Sequence, residues 1–161
     1  MYIDLKEVIN VPRSARIKDA HGTYYVTQRS SGCRPLFLDN NDRQFFIELL
    51  QRTVNNFNCR ILDYCAQDDE VYHLIIDVNG GDLSKIMKSI NIAYGMRASC
   101  EGQLFKDRYV SSPIEDDHML KDVRSKIKEA LVESGGYSSF CVSEIHPCTE
   151  SAKDHCTDCL S

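Results

Sequence analysis

Apolar residues recur along this chain with two different periods, and the switches between them mark out the elements. Residues 22–29 (GTYYVTQR) concentrate β-branched and aromatic side chains, the composition of a strand. After a polar stretch, Asp39-Asn40-Asn41-Asp42 offers side-chain oxygens to the unpaired N–H groups of a helix start. Phe45, Phe46, Leu49, Leu50, Val54 and Phe57 follow at the spacing of one helical face. Residues 59–66 and 70–78 are short apolar runs separated by Gln67-Asp68-Asp69, which predicts a hairpin. Asn79-Gly80-Gly81-Asp82 stops the second run and caps a helix with the stripe Leu83, Ile86, Met87, Ile90 and Tyr94. Residues 102–112 read as extended and as the last strand. Asp116 and Asp117 open a third helix, with Met119, Leu120, Val123, Ile127, Ala130 and Leu131 on one side and Gly135-Gly136 ending it.

The order β-α-β-β-α-β-α predicts an α+β fold: a ferredoxin-like antiparallel sheet with helices on one face, plus a Cys-rich C-terminal tail. Three regions are expected: an N-terminal basic arm over residues 1–21, an α+β domain over 22–140, and a Cys/His-rich acidic tail over 141–161. No internal repeat is present.

Composition changes the picture in three places. The chain has 161 residues, 42% of them hydrophobic, enough for one domain with a core. Its net charge of −5 gives no global argument for nucleic acid. The charge is uneven, however: residues 140–161 carry −3, whereas the first 31 carry +2, and a local basic arm can bind phosphate on an acidic protein. No apolar run approaches the ~18–20 residues that span a bilayer, and the start lacks the apolar core of a secretory signal. An intracellular, cytoplasmic protein with no membrane partner is therefore expected, and its eight cysteines are expected as thiols or metal ligands. Cys33, Cys59, Cys65 and Cys100 are scattered and read as small apolar residues.

Candidate chemistry sits at two places. His73 lies on the predicted strand 70–78 with Val71 two residues before it. Residues at i and i+2 on a strand share a face, so two histidines there would grip one divalent ion, but valine has no ligating atom. In the tail, Cys141, Cys148, Cys156 and Cys159 crowd together with His146 and His155. Cys156 and Cys159 have C-x2-C spacing, so zinc, free thiols and a redox disulfide all remain open.

Several ordered blocks match a family. Pro12-Arg13-Ser14-Ala15-Arg16 matches a Pro-Arg-x-x-Arg arm, and Tyr24 to Arg29 a first strand Tyr-His-Val-Thr-x-Arg. Phe37, Asp39, Asp42, Arg43 and Phe46 match one block, and Leu83, Ser84, Met87 and Lys88 a second, with Tyr94 after it. Gly102, Leu104, Phe105, Arg108 and Tyr109 match a third. Across residues 12–140 the chain resembles the single-tyrosine transposases with a His-hydrophobe-His motif, especially the group associated with repetitive palindromic elements. The resemblance implies DNA strand cleavage and joining by a tyrosine nucleophile, a divalent ion, Mg or Mn, held by two histidines, a hairpin or single-stranded DNA partner, and a homodimer.

The chain departs from that pattern at the reacting positions. The first motif histidine falls at Val71 and the second at His73; the nucleophilic tyrosine falls at His118. The Asn expected before the motif is Glu70, and Ser125 to Glu129 stands where an Asn-Pro is expected. Loss of a ligand together with the nucleophile predicts a transposase-like DNA-binding protein unable to cleave. One alternative is an active enzyme rebuilt on His73, His118 and Asp122, since His118 and Asp122 share a helix face at i, i+4. The plainer reading makes that pair a solvated helix start and His73 a satisfied strand residue. A further alternative is a protein-interaction module on the same scaffold. Tyr72, Tyr94 and Tyr109 are expected to pack rather than react. For DNA contact the candidates are Arg13, Arg16, Arg29, Lys88 and Arg108, with Lys18, Lys85 and Lys106 nearby in sequence. A solvated charged surface is the competing reading for all of them.

Overall fold

The computed structural model describes residues 22–133 and 141–145. Its elements run β1 (Thr23–Arg29), α1 (Asn40–Phe57), β2 (Arg60–Gln67), β3 (Val71–Asp77), α2 (Leu83–Ala98), β4 (Val110–Ile114), α3 (Asp117–Glu133) and β5 (Cys141–Ile145). The strands form one antiparallel sheet in the order β4-β1-β3-β2-β5.

The helix starts follow the sequence chemistry. Asp39 accepts from the Asp42 N–H at 2.9 Å, Asp82 from Ser84 at 2.9 Å, and Asp116 from Met119 at 2.7 Å, each satisfying a donor that the helix leaves open. The β2–β3 turn places Asp68 and Asp69 at φ 51° and 56°, a left-handed conformation that aspartate tolerates.

β3 lies at the centre of the sheet and is buried on both faces, which decides the layering. Tyr72, Leu74 and Ile76 point to one side with Tyr24, Val26 and Tyr64, and α1 and α2 cover them with Phe46, Leu50, Ile86, Met87, Ile90 and Tyr94. Ile75 points to the other side with Cys65 and is covered by Ile127, Leu120 and Val123 of α3. The α+β antiparallel fold is as expected, and one shared face holds for α1 and α2. α3 corrects that detail by lying on the opposite face. Ile75 would stand in water unless a second layer covered it, and burying such a side chain contributes roughly 1.5–3 kcal/mol.

Three further differences from the sequence reading have local causes. Residues 102–109 are not a continuous strand: Gly102 sits at φ 111°, Leu104 turns into the core, and only Phe105 bridges to Ser30 before pairing resumes at Val110. β5, unmarked by the hydrophobic pattern, pairs with β2 through Cys141 to Ile145, residues assigned to the tail. Cys33 and Cys100, read as small apolar residues, form a disulfide with Cα atoms 6.6 Å apart. Their loops fold together despite a separation of 67 residues, which spacing alone does not reveal. Cys59 and Cys65 are buried and stand outside the disulfide, as expected of small apolar residues. No helix among the described residues is long and apolar enough to cross a membrane.

Candidate functional site

The face of the sheet covered by α3 carries the positions expected to react. Val71 and His73 both point there, on alternate residues of β3. His73 is only 3% exposed. It stands opposite Thr27 of β1 and Cys65 of β2, and its diagonal neighbours on those strands take both ring nitrogens. Nδ1 lies 2.9 Å from the Tyr25 hydroxyl, and Nε2 lies 3.0 Å from Gln67 Oε1. With Gln67 accepting, Nε2 carries the proton and Nδ1 accepts from Tyr25. The Tyr25 ring stacks beside the imidazole, 6.1 Å between centroids and 6° from parallel.

The electrostatics agree with a neutral pair. Burial pushes the His73 imidazole from 6.5 down to about 4, and the Arg29 guanidinium adds to the effect. Burial raises the Tyr25 phenol well above its usual range, so it stays a donor. Neither Tyr25 nor Gln67 was singled out from sequence. The usable signal was parity: both occupy positions facing the His73 side on the two strands that flank β3.

A shared divalent ion does not fit these residues. Val71 supplies no lone pair, and the only lone pair of neutral His73 is engaged by Tyr25. His118 is far from buried, with 86% of its side chain exposed, and its Nδ1 pairs with Asp122 Oδ2 at 3.2 Å on the solvent side of α3. Among the described residues no group of three His, Cys, Asp or Glu side chains comes together to hold a metal. The structure therefore does not unite His73, His118 and Asp122. Tyr72 and Tyr94 are buried in the core, and Tyr109 is half-buried and donates to Ser84 Oγ at 3.3 Å. In the tail, Cys141 opens β5, whereas Cys148, Cys156 and Cys159 lie outside the described residues.

The basic candidates fall into two groups. Arg13 and Arg16 lie outside the described residues. Arg29, Lys88 and Arg108 are exposed, on the end of β1, on α2 and on the segment before β4. Backbone and side-chain bonds set these three elements side by side. The Lys106 N–H donates to Arg29 O at 3.1 Å, Gln28 Nε2 donates to Asp107 O at 2.9 Å, and Asn91 of α2 donates to Gln28 Oε1 at 3.3 Å. The Tyr72 hydroxyl completes this chain by donating to Asn91 Oδ1 at 3.0 Å. A part-buried polar relay thus links the segment carrying Lys106 and Arg108 to β1, α2 and β3.

Comparison with known proteins gives the following. None of the curated proteins matches the sequence. The solved structure of a REP-associated tyrosine transposase bound to a REP hairpin superposes with a TM-score of 0.68 at 15% identity, covering 78% of this chain and 76% of that one. A protein of Deinococcus radiodurans described as a candidate transposase aligns at 11% identity with a TM-score of 0.48, over 76% of this chain and 98% of that one. The first of these likenesses is one of fold. The IS200-like transposase family matches residues 31–130, well over half of the sequence and all of the segment from α1 to most of α3. The chain belongs to the IS200-like transposase family.

Proposed function

We propose that this family member binds DNA, at a hairpin or single-stranded segment, and does not cleave it. The observation that carries the reading is the state of His73: its one expected co-ligand is Val71, and both its nitrogens are already bonded inside the protein. His118 at the nucleophile position supports it: it stands 86% exposed on α3, paired only with Asp122, and belongs to no group of three metal-ligating side chains among the described residues. The DNA partner is supported by family membership and by the REP hairpin bound to the structural relative. It is also supported by Arg29, Lys88 and Arg108, exposed on adjoining elements and able to meet phosphates.

Labelled hairpin DNA incubated with the protein and Mg²⁺ or Mn²⁺ tests both halves. The expected result is retarded DNA, uncut and with no covalent adduct. Affinity should fall with salt, with a log–log slope of about −0.9 per phosphate contact on duplex. The Arg13→Ala/Arg16→Ala double variant should bind more weakly and flatten that slope by about 0.9 for each contact removed. A cleaved strand or a protein–DNA adduct would sink the inactive reading, and no retardation at low salt would sink DNA binding.

A further inference from the structure

The disulfide between Cys33 and Cys100 joins two segments that also meet through hydrogen bonds. Cys33 is exposed, in the loop between β1 and α1, and Cys100 is half-buried, just past the end of α2. Around the link, the Ser31 N–H donates to Leu104 O at 2.9 Å, the Ser31 hydroxyl donates to Gln103 O, and Ser30 bridges to Phe105. Arg34, next to Cys33, donates to Ala98 O at the end of α2 and to Asp42 at 2.6 Å. In the tethered segment, Gly102 to Phe105 form one wall of an open cavity of about 470 Å³, and Asn91, Ile92, Gly95 and Met96 of α2 form another. The segment runs directly into Lys106 and Arg108.

We propose that Cys33–Cys100 is a thiol–disulfide switch that sets how firmly the segment bearing Lys106 and Arg108 is held, and thereby the grip on DNA. The inference rests on the DNA-binding reading above. The co-reactant is a dithiol reductant. Its thiolate attacks the exposed Cys33 sulfur, forming a mixed disulfide and expelling Cys100 as a thiolate that takes up a proton. The second thiol of the reductant then displaces Cys33, which leaves as a thiol, and the reductant departs as its own disulfide. Two electrons and two protons pass to the pair. The reduced state has ready partners: Gln103 O lies 3.4 Å from the Cys33 sulfur, and Gly102 O lies 3.8 Å from that of Cys100.

The direction follows from ordering. With the tether closed, the segment is held before DNA arrives. With it open, weak S–H bonds replace a covalent link, and binding must order the segment at a cost in conformational entropy. The oxidised form is therefore the tighter binder. Coupling of this kind is reciprocal, so bound DNA protects the disulfide from reduction by the same factor.

The full chain, oxidised or reduced with dithiothreitol, is titrated with fluorescent hairpin DNA, and amide exchange is followed at Ser31 and Lys106. Reduction is expected to weaken binding at least about fivefold, the low end of measured couplings, and to speed exchange at both amides. The Cys33→Ser/Cys100→Ser variant is expected to match the reduced form with or without reductant. Equal affinities in the two redox states, or unchanged exchange, overturn the switch while leaving DNA binding intact. Absence of binding in both states overturns the DNA-binding reading, and the coupling falls with it.

Discussion

Replacing Phe46 by alanine is expected to lower the unfolding free energy by about 3–5 kcal/mol, the range for removing a buried phenylalanine. Phe46 is fully buried on α1, and its ring meets four others. The centroids of Phe37, Tyr64, Tyr72 and Tyr94 lie 5.4, 5.3, 5.0 and 5.0 Å away, and the Tyr94 contact is edge-on at 86°. These four rings come from the β1–α1 loop, β2, β3 and α2, so the site cannot collapse around a cavity without moving several elements at once. That places the expected loss toward the upper end, and at about 2–4 °C per kcal/mol for a chain of this size it lowers Tm by roughly 10 °C or more. Phe46→Leu refills most of the volume and should cost less than half as much. Thermal or urea unfolding of the three proteins checks this; a loss below about 1 kcal/mol for Phe46→Ala would mean that the cluster does not anchor α1.

The same cluster explains why the family was legible in the sequence while the site was not. The block Phe37, Asp39, Asp42, Arg43, Phe46 turns out to carry structure. The two rings belong to the core, Asp39 caps α1, Asp42 receives Arg34, and Arg43 reaches both carboxylate oxygens of Asp69 at 2.7 and 2.8 Å to hold the β2–β3 turn. In this chain the spacing of these residues is set by the contacts the fold needs. Helix caps and apolar stripes were readable for the same reason: each is a local contact written in a few adjacent residues. The second layer under α3, the pairing of β5 with β2, and the Cys33–Cys100 link join segments far apart in sequence, where no local pattern signals the contact. The resemblance alone puts Val71 and His118 at the first-ligand and nucleophile positions. Whether His73 kept a free nitrogen could not be read that way, because that depends on Tyr25 and Gln67, which reach it from two other strands.

That closed environment sets the second large effect, a loss of stability in mild acid that belongs to His73. In the folded protein the imidazole titrates at about 4, against about 6.5 unfolded. Between those values the unfolded chain binds the extra proton, so protonation favours unfolding, and stability must rise with pH through this window. The contribution is fully present above pH 6.5, is lost as pH falls, and levels off below pH 4, where both states are charged. At about 1.36 kcal/mol per unit of difference the whole span amounts to roughly 3 kcal/mol. About 2 kcal/mol of that falls between pH 7 and pH 5, above the range where ordinary carboxylates titrate. The physical cause is burial first: an imidazolium would lose its hydration at a side chain only 3% exposed, and the Arg29 guanidinium adds to the cost. Urea unfolding at pH 7 and pH 5 should show this drop in the native chain and little of it in His73→Gln, whatever that variant's stability at pH 7. An equal drop in both proteins would place the titration elsewhere. A native chain that keeps its full stability at pH 5 would mean that His73 can accept a proton in place, and with it that the imidazole is open enough to serve a ligand or an ion after all.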